Sequence, residues 1–462
     1  MNDLIQAIIL ALTQLTQQNQ VEIDLIAQLQ AQLAQAQVQA PVHVSVVDSA
    51  GLTQALSNPA GGTIIDIAPG VYQGHFVLPP HEGEPITVSL AGGCEIPTRT
   101  EPALPQLVSP DNQPALQAAQ GAGRYVISCL DIGSLSSAGT ALATAVGPVT
   151  SPDQWAHDIS FSRIRIIGSD AGLKRCFGMH GVDISLKESY LANCVAVGQD
   201  AQAVWVNWGP GPYSIVDNYL EASGENILFG GDNAGYPDLV PADIIITGNT
   251  LFKPLGWRTT SWSIKNLLEL KNAKRVLIDH NIFDGAWKAA QVGYAVLFTP
   301  KNQYNQEPWT TVEDITFTHN TIRNASNGIN ITGNDPNSYP SGRTTNIVIE
   351  DNTIQANKTL LGGDGRCLMI GRGLAGLRFN RNLCQTDGAS TIYIYGGGPD
   401  PLISGAVITA NTWNQNTYGL TGEGTTGNAI NTLNVWFPGV VFESNTVIGG
   451  SASKYPIGTI IQ

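Results

Sequence analysis

The most regular feature of the sequence is a triplet of apolar residues that recurs around an asparagine. The apolar residues stand at offsets −5, −3 and +2, as Ile244, Ile246 and Leu251 do around Asn249. Two apolar residues spaced two apart predict a strand with one inward face, and asparagine favours a tight bend. The asparagines at the centres of these triplets are Asn218, Asn249, Asn281, Asn320, Asn352, Asn382, Asn411 and Asn445.

Three earlier copies keep the apolar positions and replace the asparagine by Leu130, Ile164 or Ser189. The step between copies is about 31 residues, which is a solenoid period. A leucine-rich repeat has a shorter, leucine-dominated period, and the blade signatures of a β-propeller are missing. We therefore predict an all-β chain, a single-stranded right-handed parallel β-helix in which the asparagines form a hydrogen-bonded ladder.

Residues 1–40 have a different pattern, without glycine or proline. Apolar residues there follow alternating three- and four-residue steps, with Asn19 and Glu22 in the intervening core positions. Such a seam predicts a helix that needs partners, as in a coiled coil. A disordered glutamine-rich tail is the alternative. The seam consists of Ile5, Ile8, Leu12, Leu15, Ile26, Leu29, Leu33 and Ala36.

Pro41 ends the helical stretch, and residues 48–79 then contain a helix-like segment, the motif GGTIIDIAPGVY and a second strand. This opening resembles the N-terminal coil of pectate-lyase-like β-helix proteins, and the resemblance implies a helix that caps the open end of the core. The predicted domains are a helical oligomerisation or anchoring segment, 1–40, and the β-helix, 41–462, with residues 41–120 forming the cap and first coils.

The net charge of −14 and a pI of about 4.8 argue against nucleic acid and anionic membranes as partners. The apolar run near the N-terminus is too short to span a membrane, and no secretory signal is recognisable. The cysteines form no CxxC pair, so we expect free, buried thiols and folding in a reducing cytoplasm. The six are Cys94, Cys129, Cys176, Cys194, Cys367 and Cys384.

No cofactor or metal is predicted. His280 and His319 each precede a ladder asparagine, and we interpret them as stacked surface imidazoles because no third ligand is evident. The segment VLIDHN at 276–281 resembles an element of pectate lyases, but Leu277 stands where that element has tryptophan.

Each coil carries another strand after the asparagine, for example AVWVNWG and TIYIYGGG. Alternation predicts inward residues at Val204, Ile227, Leu268, Val296, Ile329, Leu368 and Ile392. It predicts outward residues at Trp205, Leu228, Glu269, Leu297, Asn330, Met369 and Tyr393. Loops of variable length are expected to follow this strand at 230–243, 253–263, 299–313, 333–345 and 396–405.

The outward stripe suits an extended polysaccharide, because sugars stack on aromatic rings and hydrogen-bond to amides and carboxylates. The predicted carbohydrate-binding residues are Trp205, Trp208, Asn330, Tyr393 and Tyr395. A solvated sheet face is the alternative. The predicted catalytic residues are Glu269, Asp232, Lys271 and Asp335, because paired carboxylates support glycoside hydrolysis and a carboxylate with a base supports a lyase. A purely structural Glu269–Lys271 pair is the alternative there.

A helical N-terminus followed by a β-helix resembles the architecture of bacteriophage tailspike proteins. That resemblance implies a homotrimer on a virion, assembled in the host cytoplasm, which binds and sometimes depolymerises host surface polysaccharide. Residues 1–40 would then join phage tail, adaptor or capsid proteins. A bacterial polysaccharide lyase or glycoside hydrolase, and a non-catalytic capsid decoration, are the alternatives.

Overall fold

The computed structural model describes residues 2–35, 41–425 and 427–462, and in the first helix the side chains of 6–20, Ile23 and Ile26. It contains two compact units, residues 1–43 and 44–462. The first is one helix, α1, Asn2–Gln35. Ile8, Leu12 and Leu15 are each more than half exposed in the single chain. The predicted seam positions Ile5, Glu22, Leu29, Leu33 and Ala36 lie outside the described side chains. Among the described residues, no helix is long and apolar enough to cross a membrane.

The second unit is a right-handed parallel β-helix, as predicted, with three parallel sheets of 14, 14 and 12 strands. In each coil, the sheet-1 strand ends just before the ladder residue, the sheet-2 strand begins after it, and the sheet-3 strand completes the coil.

The strands of sheet 1 are His43–Val46, Ile64–Ile67, Ile86–Leu90, Gly123–Ser128, His157–Ser162, Val182–Lys187, Tyr213–Val216, Ala242–Thr247, Ala273–Asp279, Val312–Thr318, Thr345–Glu350, Ala375–Asn380, Val407–Thr409 and Val441–Glu443. The strands of sheet 2 are Val71–Gln73, Gln106–Ser109, Asp131–Ser134, Arg165–Ile167, Tyr190–Cys194, Tyr219–Ala222, Thr250–Phe252, Ile282–Ala286, Thr321–Ala325, Thr353–Ala356, Leu383–Thr386, Thr412–Asn414, Thr446–Ile448 and Ile460–Ile461. The strands of sheet 3 are Phe76–Leu78, Leu116–Ala118, Thr140–Ala143, Arg175–Gly178, Gln202–Val206, Glu225–Phe229, Leu268–Leu270, Tyr294–Phe298, Asn327–Thr332, Leu368–Gly371, Ser390–Tyr395 and Gly419–Gly422.

The asparagine ladder is confirmed. Each of the eight predicted asparagines is buried, and the side-chain amide of each of the first seven donates to the Oδ1 atom of the next one along. The last, Asn445, donates to the backbone oxygen of Ile408 at 2.8 Å. The left-handed residue is the one just before each asparagine, such as His280 with φ 54° or Ala410 with φ 55°. Ser189 continues the ladder backwards, because its backbone N–H donates to Oδ1 of Asn218 at 2.9 Å.

Short helices lie near both ends of the coil stack. Helix α2, Ser49–Ser57, begins at Asp48, whose side chain accepts a hydrogen bond from the backbone of Gly51, and it buries Leu52 and Leu56 in the core. Helix α3, Lys358–Leu361, is away from the ends and lies between a sheet-2 strand and a sheet-3 strand. Helix α4, Ala429–Trp436, was not anticipated and contributes Ala429 and Leu433 to the same core near the C-terminal end.

The prediction of free thiols is wrong. The cysteines form three disulfides, Cys94–Cys129, Cys176–Cys194 and Cys367–Cys384, and no free cysteine remains among the described residues. Cysteines 17 to 35 residues apart in the sequence meet because the coil brings separate segments together. The expectation of a reducing cytoplasm rested on free thiols, so it loses its support.

Candidate functional site

Sheet 3 aligns the predicted outward residues in register on consecutive strands, and we call this set the outer row. The predicted inward residues pair in the same register, and each is at most 1 % exposed. With about 4.8 Å between strands, the outer row extends about 29 Å from Trp205 to Tyr393. That length suits a chain of several sugar rings. The outer row consists of Trp205, Leu228, Glu269, Leu297, Asn330, Met369 and Tyr393.

Glu269 and Lys271 lie in contact at the middle of sheet 3. Lys271 Nζ is 3.5 Å from Glu269 Oε1, and Asn266 Nδ2 donates to Oε2 at 2.7 Å. Only 3 % of Glu269 is exposed. Burial raises the pKa of Glu269, and the positive charge of Lys271 only partly offsets this. Glu269 therefore retains a proton at higher pH than an ordinary glutamate.

Glu225, on the neighbouring strand, was missed by the sequence analysis. Gln202 Nε2 donates to its Oε2 at 2.9 Å, and Lys265 Nζ lies 3.4 Å from Oε1. Although burial raises the pKa of Glu225, the charges of Lys271 and Lys265 outweigh burial and lower it. Two neighbouring carboxyl groups thus have pKa values shifted in opposite directions, which is the arrangement that separates a general acid from a carboxylate.

Lys271 is positively charged in this cluster. Burial alone would lower the pKa of Lys271, but the carboxylates of Glu269 and Glu225 raise it above the ordinary value. A protonated amine cannot accept a proton, so Lys271 is poorly suited to act as a base. It is suited to hold negative charge on a neighbouring group.

The other two predicted catalytic carboxylates have local partners of their own. Asp232 Oδ1 accepts from the backbone of Asn233 at 2.8 Å. Asp335 is fully buried, accepts from the backbone of Asn302 at 2.7 Å, and lies 3.4 Å from Lys301 Nζ. These contacts organise the loops that follow sheet 3, and neither carboxylate is bonded to Glu269 or Lys271 in the part of the chain described. Their catalytic roles stay predictions.

Trp205 lies at one end of the outer row and Trp208 follows the same strand, but they are only 4 % and 9 % exposed. The guanidinium of Arg175 lies 3.7 Å from the centre of the Trp205 ring, and the ring of His180 contacts both indoles. Both indole N–H groups donate to backbone oxygens, at Gly230 and Asn233. The two tryptophans are therefore not the open stacking platforms that alternation alone suggests.

Tyr393, Tyr395 and Asn330 lie toward the other end of sheet 3 and are partly exposed. Arg366 stacks 4.0 Å from the centre of the Tyr393 ring. Burial raises the pKa of Tyr395 to about 12. The Asn330 Oδ1 atom is buried without a hydrogen-bond partner among the described residues.

The loops lie on both edges of sheet 3 rather than on one. The segments at 230–243, 299–313, 333–345 and 396–405 follow sheet-3 strands, as predicted. The segment at 253–263 instead follows the sheet-2 strand Thr250–Phe252 and precedes sheet 3. It contains a short 3-10 helix, Leu255–Thr259, and packs Trp257 and Trp262 beside Trp287.

His280 and His319 are stacked on the surface, as predicted, with ring centroids 4.7 Å apart. The Nδ1 atoms of both rings lie within 3 Å of the carboxylate of Asp279. Burial opposes ionisation of Asp279, but the hydrogen bonds from His319 and His280 outweigh it and lower its pKa. The Asp279 carboxylate thus supplies a third potential metal-ligand atom, which the sequence analysis did not find.

Arg175, Gln202 and Glu225 occupy the first position of three neighbouring sheet-3 strands and pair in register. Each of these three residues lies two positions before an inward residue: Phe177, Val204 or Ile227. This shared position is the only feature of the sequence that relates them. Strand alternation predicts that a residue at this position faces the core, so the pattern does not identify these polar residues as part of a site.

No protein-family model matches the chain, and no curated protein matches it either. Among solved structures, the catalytic unit of a GH87 α-1,3-glucanase from Streptomyces thermodiastaticus matches with a TM-score of 0.57 and 13 % identity, over 90 % of this chain and 70 % of that one. A mannuronic-acid-specific family 6 polysaccharide lyase from human gut microbiota matches with a TM-score of 0.54 and 12 % identity, over 89 % of this chain and 87 % of that one.

A tailspike protein of Acinetobacter baumannii bacteriophage Fri1, a capsular polysaccharide depolymerase, matches with a TM-score of 0.43 and 10 % identity, over 91 % of this chain and 65 % of that one. At these identities the comparisons establish the parallel β-helix fold, and the tailspike match is too distant to carry an argument about function.

Proposed function

We propose that this protein binds an extended polysaccharide along the outer row and that Glu269 donates a proton to the glycosidic oxygen as a bond is cleaved. The observation that carries the proposal is the contrast between Glu269 and Glu225, neighbours on one sheet whose pKa values are shifted apart. Because its pKa is raised and that of Glu225 is lowered, Glu269 holds its proton to a higher pH than Glu225 does and is the better acid of the pair. The β-helix enzymes that share the fold support the same class of substrate.

Proton donation to the leaving oxygen serves a hydrolase and a lyase alike. In hydrolysis a second carboxylate activates water or forms a covalent intermediate. Glu225 has the lowered pKa that such a carboxylate needs, although its side chain is fully buried. In elimination a base removes a proton beside a uronic carboxylate, and Lys271 is poorly suited to that role while it is protonated. The directions of these pKa shifts therefore favour hydrolysis over elimination with Lys271 as the base.

The test is a depolymerisation assay on a panel of neutral and acidic polysaccharides. Wild-type protein should release reducing ends, and Glu269→Gln should lose at least 100-fold in rate because the amide cannot donate the acidic proton. Glu443→Gln, an exposed change on sheet 1, is the matched control and should retain activity. Products with an ultraviolet-absorbing double bond would show that the reaction is elimination and not hydrolysis. Activity of Glu269→Gln equal to that of the wild type would contradict the role of Glu269.

A second candidate is polysaccharide binding without cleavage, and the burial of Glu269 favours it, since a group 3 % exposed has little direct access to a substrate. Binding by the wild type without release of any product would support this candidate.

We also propose that residues 1–40 join three copies and attach them to phage tail, adaptor or capsid proteins, so that the polysaccharide is that of the host surface. The exposed apolar side chains of α1, Ile8, Leu12 and Leu15, support association of this helix with partners. A place on a virion is part of the same proposal.

A further inference from the structure

A cavity of about 230 Å³ lies beside the Trp205 end of the outer row. Arg175, His180, Trp205 and Trp208 line one side of it, and the loop 112–114 lines another. Pockets for whole drug-sized ligands occupy roughly 300–1,000 Å³. A cavity of this size therefore suits one sugar ring of a longer chain that continues along sheet 3.

Arg175 brings a positive charge to this cavity that no carboxylate of the described residues neutralises by direct contact. Its Nε atom donates to Gln202 Oε1 at 3.1 Å, and its remaining guanidinium nitrogens have no hydrogen-bond or ion-pair partner among the described residues. The carboxylates of Asp232, Glu225 and Asp200 act on it only from a distance. Burial lowers the pKa of Arg175 to about 10, so the guanidinium is still charged at neutral pH.

Arg366 provides an internal comparison at the opposite end of the outer row. Both arginines stack on an outward aromatic ring, Arg175 on Trp205 and Arg366 on Tyr393. Arg366 is neutralised, because its Nη1 atom lies 3.2 Å from the Asp364 carboxylate. Arg175 has no such partner in the part of the chain that the structure describes, and no Asp or Glu occurs among the residues that line its cavity.

His180 adds a hydrogen-bond donor to the same wall. Its Nδ1 atom accepts from the backbone N–H of Asn207 at 3.1 Å. Burial and the charge of Arg175 lower its pKa, so the ring is neutral and its one proton is on Nε2. Gly178, which also lines the cavity, leaves room there, since a Cβ on that glycine would stand 3.1 Å from Nε2.

We propose that this cavity binds a carboxylated sugar residue, with the free guanidinium nitrogens of Arg175 on the carboxylate and His180 Nε2–H on a ring oxygen. The planar fork of a guanidinium matches the two oxygens of a carboxylate, and the tryptophan edges supply apolar contact for the ring. This inference rests on the proposed function and specifies its substrate class: an acidic polysaccharide, such as one that contains uronic acid.

The test measures binding of full-length protein to polygalacturonate, alginate, hyaluronan and polysialic acid. Each uronate polymer is paired with its carboxyl-reduced form, which keeps the sugar backbone and removes the charge. At least one acidic polymer should bind, with at least tenfold weaker binding of its reduced form. Arg175→Gln should weaken binding of the acidic polymer by at least tenfold. Arg275→Gln, a change on sheet 1 at an arginine paired with Asp243, is the control and should change binding less than threefold.

Equal binding of acidic and reduced forms, or full affinity in Arg175→Gln, overturns the inference. An equal loss in both arginine variants also overturns it, because the effect is then general attraction of a polyanion. If neutral polysaccharides bind and no acidic one does, the cavity assignment fails while the proposed function stands. If neither kind binds, both fail. Thermal melting of each variant checks that a loss of binding is not a loss of fold.

Discussion

The side-chain amide of Asn320 donates to Oδ1 of Asn352 across 3.2 Å, and Asn320 itself receives the backbone N–H of Asn281 at 2.8 Å. Asn320 therefore satisfies buried groups of both neighbouring coils. These bonds stabilise the stack where the asparagines occur, because unpaired buried polar groups are costly.

Asn320→Ala is expected to destabilise the β-helix by about 3 kcal/mol, since it leaves buried backbone and amide groups without partners. The Tm should fall, and hydrogen exchange at the backbone N–H of Asn281 should accelerate. Asn434→Ala, at an exposed position in α4, should change stability by less than about 0.5 kcal/mol. Equal melting of the two variants would mean that the ladder contributes little.

Peptide mapping without reduction should recover Cys94–Cys129, Cys176–Cys194 and Cys367–Cys384, and alkylation of the unfolded protein should find no free thiol. Because these links close loops of 35, 18 and 17 residues, loss of one should cost about 3 kcal/mol. Six alkylated cysteines in freshly purified protein would contradict the pairing.

The burial of His180 predicts that stability falls in acid. Its pKa is lowered in the folded state, so below about pH 6.5 the unfolded chain binds a proton that the folded chain does not. Between pH 7.5 and pH 5.5 the free energy of unfolding should fall by about 1.4 kcal/mol because of this group. His180→Asn, whose Oδ1 can replace the Nδ1 acceptor, should lose correspondingly less over the same interval. Parallel pH curves for the two proteins would exclude His180 as the cause.

Light scattering of full-length protein is expected to give the mass of three chains, because the apolar side chains of α1 need partners. A chain that begins at residue 41 should give the mass of a single chain. Full-length protein with Leu12→Lys and Leu15→Lys should also dissociate, which tests the helix seam without removing it. A monomer in full-length protein would refute the proposed trimer.

The sequence was sufficient for the fold because the apolar triplets and their asparagines repeat with one period. It was also sufficient for the register of sheet 3, since strand alternation determines that Glu269 and Tyr393 share a face. These features depend on residues close together in the sequence and on one repeated geometry.

The remainder of the site depends on contacts between coils. Arg175 covers Trp205 from the preceding coil, so nothing in the segment AVWVNWG shows that the indole is buried. Cys176 and Cys194 lie in strands of different sheets, and their spacing of 18 residues does not reveal that they meet. Glu225 was overlooked because the strand pattern assigns its position to the core.

Hydroxyl-radical footprinting with a bound polysaccharide tests most directly whether sheet 3 is the binding face. Met369 and Tyr393, partly exposed in the outer row, should be protected from oxidation by the bound chain. Tyr190 and Tyr219 are partly exposed and stacked on sheet 2, 4.6 Å apart, and they should be oxidised as in free protein. Protection of the sheet-2 tyrosines without protection of Met369 and Tyr393 would place the polysaccharide elsewhere and contradict the account.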